Sequence, residues 1–563
     1  MPGYRVCDLY SIRDTWGLGR NSRQISRQIM AGRFQNMGSA MEKTAPLDRK
    51  LNVQRVVALL AVAWVFLTDQ GFGQGAPDRY QLGRRLERFE RAWQQASGEL
   101  RAKCTPSMEQ AVQSFFSLQL SRAGKSLDEA WLQVTGVQGA EQAQRLQNIR
   151  WKLDVDGTLL DLNDPILRCR AGVFYDQQLD ANKTSLVLKV WPWNDSPAKV
   201  MLSDSGQAPL MSKTLEVVPE ETFEVDFRGL PAGDYVLTAH GLGSDPGKFD
   251  WICPSISLVD RPQERLAKME AWADSNRKDS STASGADASN PPAGQTAKST
   301  ARFLAREIAR GRKGSAFEID LPWNKLLNDF EQITEPSAPG ERANGSFELW
   351  MRKAGWKWMQ LSQGRSTQVV RIEVPAYEVP AYDSKDSDKK LPVLIALHGA
   401  GGSENMFFQT YGAGRLVELG RDRQWIVVSP RQTMTGLGLD AQQIVDALSE
   451  YLPVDPNRVM LVGHSMGAAQ AMTQVSKHPE SIRMVAALGG GGGVRDTEAL
   501  RKVPFYVAAG DRDFGKKGAK SLSQQLQRIG CQVEYREYPD VEHMVIVQAA
   551  LDDVFAFFDQ RLK

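Results

Sequence analysis

Cysteine is scarce in this chain, with five in 563 residues and no two of them closely spaced. The absence of a CxxC pair or a cysteine–histidine cluster excludes the common structural zinc sites. The wide spacing also excludes a small domain held together by many disulfides. Cys169 and Cys253 lie near the two ends of one predicted β domain, and we expect them to pair only if the compartment is oxidising.

An excess of charge of one sign is also lacking. The chain has 69 basic and 67 acidic residues, a formal net charge of +2. Without an excess of positive charge, we expect neither nucleic acid nor a strongly acidic protein as a partner. Hydrophobic residues make up 42% of the chain, an ordinary value for soluble globular protein. A chain of this length is too long to fold around a single hydrophobic core, so several domains are expected.

Long apolar runs are rare, and the one that stands out is Val56–Leu67. As a helix it would span about 18 Å, which is short of the roughly 30 Å hydrocarbon core of a bilayer. Basic residues precede it and small residues up to Gly75 follow, a pattern typical of a secretory signal. We therefore expect a secreted or periplasmic protein without a stable membrane span, with translation starting at Met41. An uncleaved membrane anchor through residues 56–67 and a buried helix are the alternatives.

The rest of the chain changes character several times. Apolar residues at helical spacing, a proline-led start at Thr105-Pro106 and a capping box at Ser126–Glu129 predict helices first, and alternating strands follow. A segment of almost only Ser, Thr, Ala, Gly and Pro then predicts a flexible linker. The predicted multidomain organisation is an extension with the signal segment at 1–75, a helical region at 76–150, a β-sandwich-like accessory domain at 151–262, helices with a linker (280–300) at 263–345, and an α/β domain at 346–563.

Two tryptophans of the β domain, Trp191 and Trp193, invite a sugar-binding interpretation, because aromatic rings stack on sugars. Such tryptophans more often pack in a core, and we expect that role here.

The strongest motif is Gly463–Gly467, with the sequence GHSMG. A short apolar run precedes it and a good helix follows, which is the strand–turn–helix context of a nucleophile elbow. Glycines are needed there because side chains at those positions would collide with neighbouring backbone in the strained turn. Ser465 is therefore the predicted nucleophile.

A second motif supplies the expected oxyanion hole. The apolar run Leu391–Leu397 predicts a buried strand, and a glycine-rich loop follows it directly. In this arrangement the loop provides one backbone N–H and the residue after the nucleophile provides another. We assign these to Ala400 or Gly401 and to Met466. His398 precedes the loop, and we expect it to order the loop rather than to catalyse.

The remaining members of a triad should follow in the order acid, then histidine. Asp511 and Asp513 compete in the loop after a predicted strand, and the usual G-x-x-D spacing selects Asp513. His543 is the only histidine after the acid, which makes it the predicted general base. His464 lies inside the elbow, and we expect its side chain to be held within that turn, so it is not the predicted base. An imidazole is needed because serine is a poor nucleophile until a base takes its proton.

At these residues the chain resembles the α/β-hydrolase superfamily, in its feruloyl esterase and polyhydroxybutyrate depolymerase-like branch. The resemblance covers about 346–563 and includes Gly364–Pro375, which is similar to the first strands of that branch. It implies an eight-stranded, mostly parallel sheet, no metal or other cofactor, and ester hydrolysis through an acyl-enzyme. The substrate it implies is a carbohydrate-linked or polyester bond, including one attached to a polymer.

The connection where such enzymes often carry a lid is short here, from Gly489 to about Arg501. We therefore expect an open, shallow cleft. The run Gly489–Gly493 would allow close substrate approach or would be a flexible surface loop. A prolyl-oligopeptidase-like peptidase is the nearest alternative function, but the repeated blades of its propeller are missing. A non-catalytic binding protein that retains the fold is the less favoured alternative. Such a protein would not need the serine, the acid, the histidine and the oxyanion loop together.

Overall fold

The structure, a computed structural model, describes residues 77–139, 141–142, 149, 151–175, 184–193, 208–241, 252–276, 294–312, 319–335, 345–377, 390–433 and 436–562. The predicted extension at 1–75, with Met41 and the segment Val56–Leu67, and most of the predicted linker lie outside these residues. No helix within the described ranges is both long enough and apolar enough to cross a membrane.

The described part of the helical region includes the helices α1 (Arg79–Gln95), α2 (Gly98–Phe116) and α3 (Leu120–Val134). Helix α1 begins at a capping box between Asp78 and Gln81, and α2 is capped by the Ser97 hydroxyl. Two predicted starts are wrong, since Thr105-Pro106 lies inside α2 and Ser126–Glu129 inside α3. Packing between the helices outweighs these local start signals. The α1 face buried against its neighbours repeats at three- and four-residue spacing: Leu82, Leu86, Phe89 and Trp93.

In the described residues that follow, eight short strands form two sheets. They are β1 (Trp151–Val155), β2 (Leu159–Asp161), β3 (Ile166–Val173), β4 (Thr184–Pro192), β5 (Met211–Val217), β6 (Thr222–Asp226), β7 (Gly233–Gly241) and β8 (Ile256–Val259). The smaller sheet has the order β1-β3-β6, and the larger has the order β2-β8-β7-β4-β5. Apolar side chains of both sheets share one core. Trp191 is half-buried and its indole N–H donates to Thr238 Oγ1 at 2.9 Å, so this polar atom is used within the larger sheet.

Cys169 and Cys253 are both free thiols, so the expected pairing is not formed. Both side chains are buried in the core shared by the two sheets. Burial raises the pKa of Cys169 to about 12, which keeps this thiol protonated and unreactive toward oxidation. Cys104 and Cys531 are free and buried as well.

Between the β region and the C-terminal domain, the described ranges contain the helices α4 (Pro262–Ser275), α5 (Gln295–Arg312), α6 (Trp323–Thr334) and α7 (Gly345–Arg352). Helix α5 begins inside the predicted linker, so the last residues of the 280–300 segment are helical. Two of the small residues in this described end of the segment pack against the next domain. Thr296 and Thr300 donate to the carbonyl groups of Ser362 and Gln360 in the domain that follows.

The C-terminal domain is built on an eight-stranded sheet in the order β16-β15-β14-β13-β11-β12-β10-β9. Strands β11 to β16 run parallel, and β10 is antiparallel to both of its neighbours, so the predicted mostly parallel sheet is confirmed. The strands are β9 (Gly355–Gln363), β10 (Ser366–Val374), β11 (Leu391–Leu397), β12 (Ile426–Pro430), β13 (Val454–His464), β14 (Met484–Leu488), β15 (Phe505–Gly510) and β16 (Val533–Tyr538).

Helices cover both faces of this sheet, as a parallel sheet requires. They are α8 (Met406–Gln409), α9 (Arg415–Asp422), α10 (Ala441–Ser449), α11 (Met466–Lys477), α12 (Glu498–Arg501), α13 (Lys516–Arg528) and α14 (Ile546–Leu562), with a 3₁₀ turn at Tyr411–Gly414. The carboxyl ends of the parallel strands meet at one edge, where open α/β sheets hold their sites. The loops after β11, β13, β15 and β16 carry all the predicted site residues.

One hydrophobic core runs from the helical region into the C-terminal domain. It includes Phe89 of α1, Met108 of α2 and Leu132 of α3 together with the interior of the large sheet. The helical region and the C-terminal domain therefore fold against each other rather than as separate bodies.

Candidate active site

Ser465 lies between β13 and α11, in the turn that the sequence predicts. Its backbone has φ +57° and ψ −116°, an unusual conformation for a residue with a side chain. A Cβ atom on Gly463 would lie 2.2 Å from the Gly467 carbonyl oxygen, and one on Gly467 would lie 1.9 Å from that of Leu397. No side chain fits at either position, so the two glycines make the turn possible. The serine side chain is half-buried at the edge of the sheet.

The structure brings His543 between Ser465 and Asp513. His543 Nδ1 lies 2.7 Å from Asp513 Oδ1, and His543 Nε2 lies 3.0 Å from Ser465 Oγ. A carboxylate can only accept, so Nδ1 carries the proton and donates it to Asp513. Nε2 is then left to accept the serine hydroxyl proton. The three side chains form one directed chain of hydrogen bonds.

Asp513 is buried, whereas Asp511 is exposed and outside this chain. Burial alone would raise the pKa of Asp513. The hydrogen bond and charge of His543 and the hydrogen bond from the Gly515 N–H at 2.6 Å outweigh burial, so the pKa lies below its ordinary value. The acid therefore stays ionised beside the imidazole.

The glycine-rich loop after β11 lies directly against Ser465. A Cβ atom on Gly399 would be 3.2 Å from Ser465 Cβ, so Gly399 allows the loop to approach. Gly401 has φ +79°, a left-handed conformation that suits glycine. Met466 is the first residue of α11, and the N–H of that position has no acceptor within its own helix.

His398 holds this loop in place. Its Nδ1 donates to the Gly399 carbonyl at 2.8 Å, and its Nε2 accepts from the Gln432 backbone N–H at 3.1 Å. Burial lowers the pKa of His398 to about 4, so the ring is neutral and can both donate and accept. The loop-ordering role expected from the sequence remains our interpretation of this residue.

Residues 394–556 match the alpha/beta hydrolase family. The C-terminal domain has the α/β-hydrolase fold. A search of curated protein sequences finds no match to the chain.

Among solved structures, the hydrolase is similar to a thermostable esterase, with 18% identity, a TM-score of 0.30, and coverage of 37% of this chain and 63% of that one. It is also similar to an S-formylglutathione hydrolase from Agrobacterium tumefaciens, with 17% identity, a TM-score of 0.29, and coverage of 38% and 98%. A ferulic acid esterase matches with 16% identity, a TM-score of 0.30, and coverage of 38% and 100%.

His464, inside the elbow, contacts the loop that carries His543. Its Nε2 donates to the His543 carbonyl at 2.8 Å, and its ring contacts Tyr411 edge-on at 5.0 Å. Burial and the nearby His543 lower the pKa of His464 to about 3, so it stays neutral. This residue links the elbow to the loop that carries His543.

The sequence indicated that the run Gly489–Gly493 allows close substrate approach or is a flexible surface loop. In the structure most of these glycines pack closely against neighbouring segments. A Cβ atom on Gly490 would lie 2.5 Å from the Ser465 carbonyl oxygen, and one on Gly491 would lie 2.5 Å from that of Gly518. Gly489 is packed against Asp513, with φ +58°. The run is a tight backbone packing element between the elbow and the acid loop. Only Gly493 has open space around it.

Sequence analysis missed three aromatic residues at this site. Phe514 follows the acid and stacks on His543, with ring centroids 3.8 Å apart. Phe115 and Phe116 come from α2, in the helical region where no site was expected. Only the position of Phe514 next to Asp513 could have indicated a role, because contacts with α2 depend on the tertiary fold. Over the described part of the chain, no cluster of side chains could hold a metal ion.

Proposed function

We propose that this protein is a serine hydrolase that cleaves carboxylic esters through an acyl-enzyme. Ser465 is the nucleophile, His543 the general base and Asp513 the acid that orients it. The observation that supports this most strongly is the directed chain of hydrogen bonds, at 3.0 Å and 2.7 Å, with Ser465 in a strained turn. An arrangement of this kind activates a serine hydroxyl at neutral pH.

In the first half-reaction, Ser465 Oγ bonds to the ester carbonyl carbon while its proton moves to His543 Nε2. The carbonyl π electrons move onto oxygen, and the resulting oxyanion accepts hydrogen bonds from backbone N–H groups. We assign these to Met466 and to Ala400 or Gly401, each worth about 3 kcal/mol in the transition state. The carbon–oxygen bond then breaks, and the leaving alkoxide takes the proton from His543. Asp513 stabilises the imidazolium throughout.

In the second half-reaction, water repeats the attack on the acyl-enzyme. His543 takes a proton from the water, and the second tetrahedral intermediate collapses with departure of Ser465 Oγ. The proton on His543 returns to the serine. The products are a carboxylic acid and an alcohol, and no cofactor takes part in this scheme.

The substrate in this proposal is a carbohydrate-linked or polyester bond, including one attached to a polymer. The connection from Gly489 to Arg501 supports it, because its one helix has only four residues, Glu498–Arg501. A large lid cannot be built from such a segment, which suits bulky esters. Export through the segment at 49–75 belongs to the same proposal, with an anchor through residues 56–67 as the alternative. N-terminal sequencing of the product from its native host tests it: a mature chain beginning after Gly75 is expected.

Hydrolysis of a substrate panel by wild type and Ser465→Ala tests the chemistry. The panel contains p-nitrophenyl acyl esters, aryl-sugar esters and peptide amides. We expect ester hydrolysis by the wild type and a loss of at least about 10³-fold in kcat for Ser465→Ala. Ser521→Ala, an exposed serine on α13, is the matched control and should keep full activity. Undiminished ester hydrolysis by folded Ser465→Ala would contradict the proposal, and a preference for peptide amides would favour the peptidase.

A further inference from the structure

Helix α1 and the end of α2 lie against the proposed oxyanion loop. Arg79 Nη2 donates to the Gly401 carbonyl at 2.9 Å. A Cβ atom on Gly401 would lie 3.6 Å from Phe115 Cε1, so the Phe115 ring packs on this glycine. A region more than 250 residues away in the chain thus contacts the loop at the reacting edge.

Helix α2 is also tied to the loops that carry the acid and the histidine. Glu109 pairs with Arg512, the residue before Asp513, at 3.0 Å. Thr105 Oγ1 donates to the Asp540 carbonyl at 2.6 Å, three residues before His543. Helix α2 is held to both loops by this ion pair and this hydrogen bond, and it packs in the same hydrophobic core as the C-terminal domain. We therefore treat α2 as a wall of the site that keeps its position.

At the end of this wall stand two exposed aromatic rings. Phe116, the last residue of α2, is 37% exposed, and Phe514 is 65% exposed. Their rings meet edge-on with centroids 5.9 Å apart, and Phe514 lies over the His543 imidazole. Among the described residues only five large hydrophobic side chains are exposed, and two of them form this pair beside His543. Exposed apolar side chains that touch each other mark a binding surface more often than single ones do.

We infer that Phe116 and Phe514 form a binding subsite, here called the aromatic rim, for an apolar group in the alcohol part of the ester. The inference rests on the proposed function. His543 must deliver a proton to the leaving oxygen, so the alcohol part leaves past the imidazole on which Phe514 lies. Two phenyl rings offer dispersion contacts and no hydrogen bonds to hydroxyl groups, so of the two proposed substrate classes the rim favours the apolar alcohol part of a polyester over a hydroxyl-rich sugar. Phe116 is thus a specificity-determining residue supplied from outside the hydrolase domain.

Two esters with the same acyl group and primary alcohols of similar leaving-group ability test the rim: 2-phenylethyl acetate and ethyl acetate. For Phe116→Ala we expect kcat/KM to fall about tenfold on 2-phenylethyl acetate and to change less than about twofold on ethyl acetate. Phe116→Leu should keep part of the preference, since it retains apolar surface. Leu210→Ala, which removes another exposed apolar side chain (51% exposed), is the control and should leave both values unchanged.

Phe514→Ala is less diagnostic, because it also removes a ring that packs on His543 and should lower kcat on both esters. An equal fall on both esters for Phe116→Ala would overturn the inference, as would no change on either or a wild type without preference for the phenylethyl ester. Failure of the proposed function has a different signature: Ser465→Ala would then hydrolyse both esters at the wild-type rate.

Discussion

At the scale of single residues, Asp511 and Asp513 have the same chemistry and differ in their surroundings. Asp513 is buried with its Oδ1 against His543 Nδ1 and the Gly515 N–H, and Asp511 points into solvent. A carboxylate acts on an imidazole only through such a contact, since water screens an exposed charge. Local spacing favoured Asp513, and its burial explains why this aspartate suits the role.

We predict that Asp513→Asn lowers kcat by about 10³-fold or more on the preferred ester, because the amide favours the wrong imidazole tautomer. Asp511→Asn should stay within about threefold of wild type. Steady-state kinetics of the two variants, with circular dichroism as a check on folding, make the comparison. The reverse ranking would assign the acid to Asp511.

At the scale of elements, the strand ends and the turns after them depend on glycines that have no room for a side chain. Gly463 and Gly467 shape the elbow, and Gly490 packs its backbone on the Ser465 carbonyl. Motif analysis explained the first two. It did not explain the third, because Gly490 belongs to the loop after a different strand, and only the parallel pairing of β13 and β14 brings the two together.

Gly490→Ala should destabilise the protein by about 1–3 kcal/mol, because the new methyl group would lie 2.5 Å from the Ser465 carbonyl oxygen. The elbow must shift to relieve this contact, so kcat should fall as well. Gly493→Ala is the matched control in the same run, with no atom within 4 Å of the new group, and should change stability by less than about 0.5 kcal/mol. Urea unfolding of both variants measures this. Equal stability of the two would refute the packing role.

At the scale of the whole molecule, the helical region and the hydrolase domain bury two carboxyl groups where they meet. Glu90 of α1 accepts from the Ala413 N–H at 2.9 Å, and Glu542 accepts from the Met544 and Val545 N–H groups. Burial raises the pKa of Glu542 to about 7, against the opposing effect of those N–H groups. Burial, with a contribution from the charge of Glu542, also raises the pKa of Glu90.

These raised pKa values predict that stability falls as the pH rises. A carboxyl with a folded pKa of about 7 and an unfolded pKa near 4.5 is protonated more readily in the folded chain, so ionisation favours unfolding between these pH values. For Glu542 the loss is about 3 kcal/mol, nearly complete above pH 7.5. Glu542→Gln cannot ionise and should lose less stability than wild type between pH 4.5 and 7.5.

Urea unfolding at both pH values measures this difference. Glu534→Gln, an exposed carboxyl on β16, serves as the control and should follow wild type. An identical pH dependence of Glu542→Gln and wild type would mean that Glu542 is ionised at no cost in the folded chain.

The sequence by itself determined the parts of this protein that depend on neighbours along the chain. The elbow at Ser465, the apolar strands and the glycine-rich loop are local patterns, and the order serine, acid, histidine follows from how parallel strands succeed one another. Local patterns failed where small residues can form either a flexible segment or a closely packed one, as at the start of α5 and in Gly489–Gly493.

Only the tertiary structure decided which distant segments meet at the site. The amphipathic pattern of the helical region predicts which helix faces are apolar. It does not predict which segment of the chain packs on those faces. Its packing against the hydrolase brings Phe116 to Phe514, and Arg79 to Gly401, across hundreds of residues. Apolar burial is non-directional, so such partners are chosen by the shape of the whole core rather than by any short stretch of sequence.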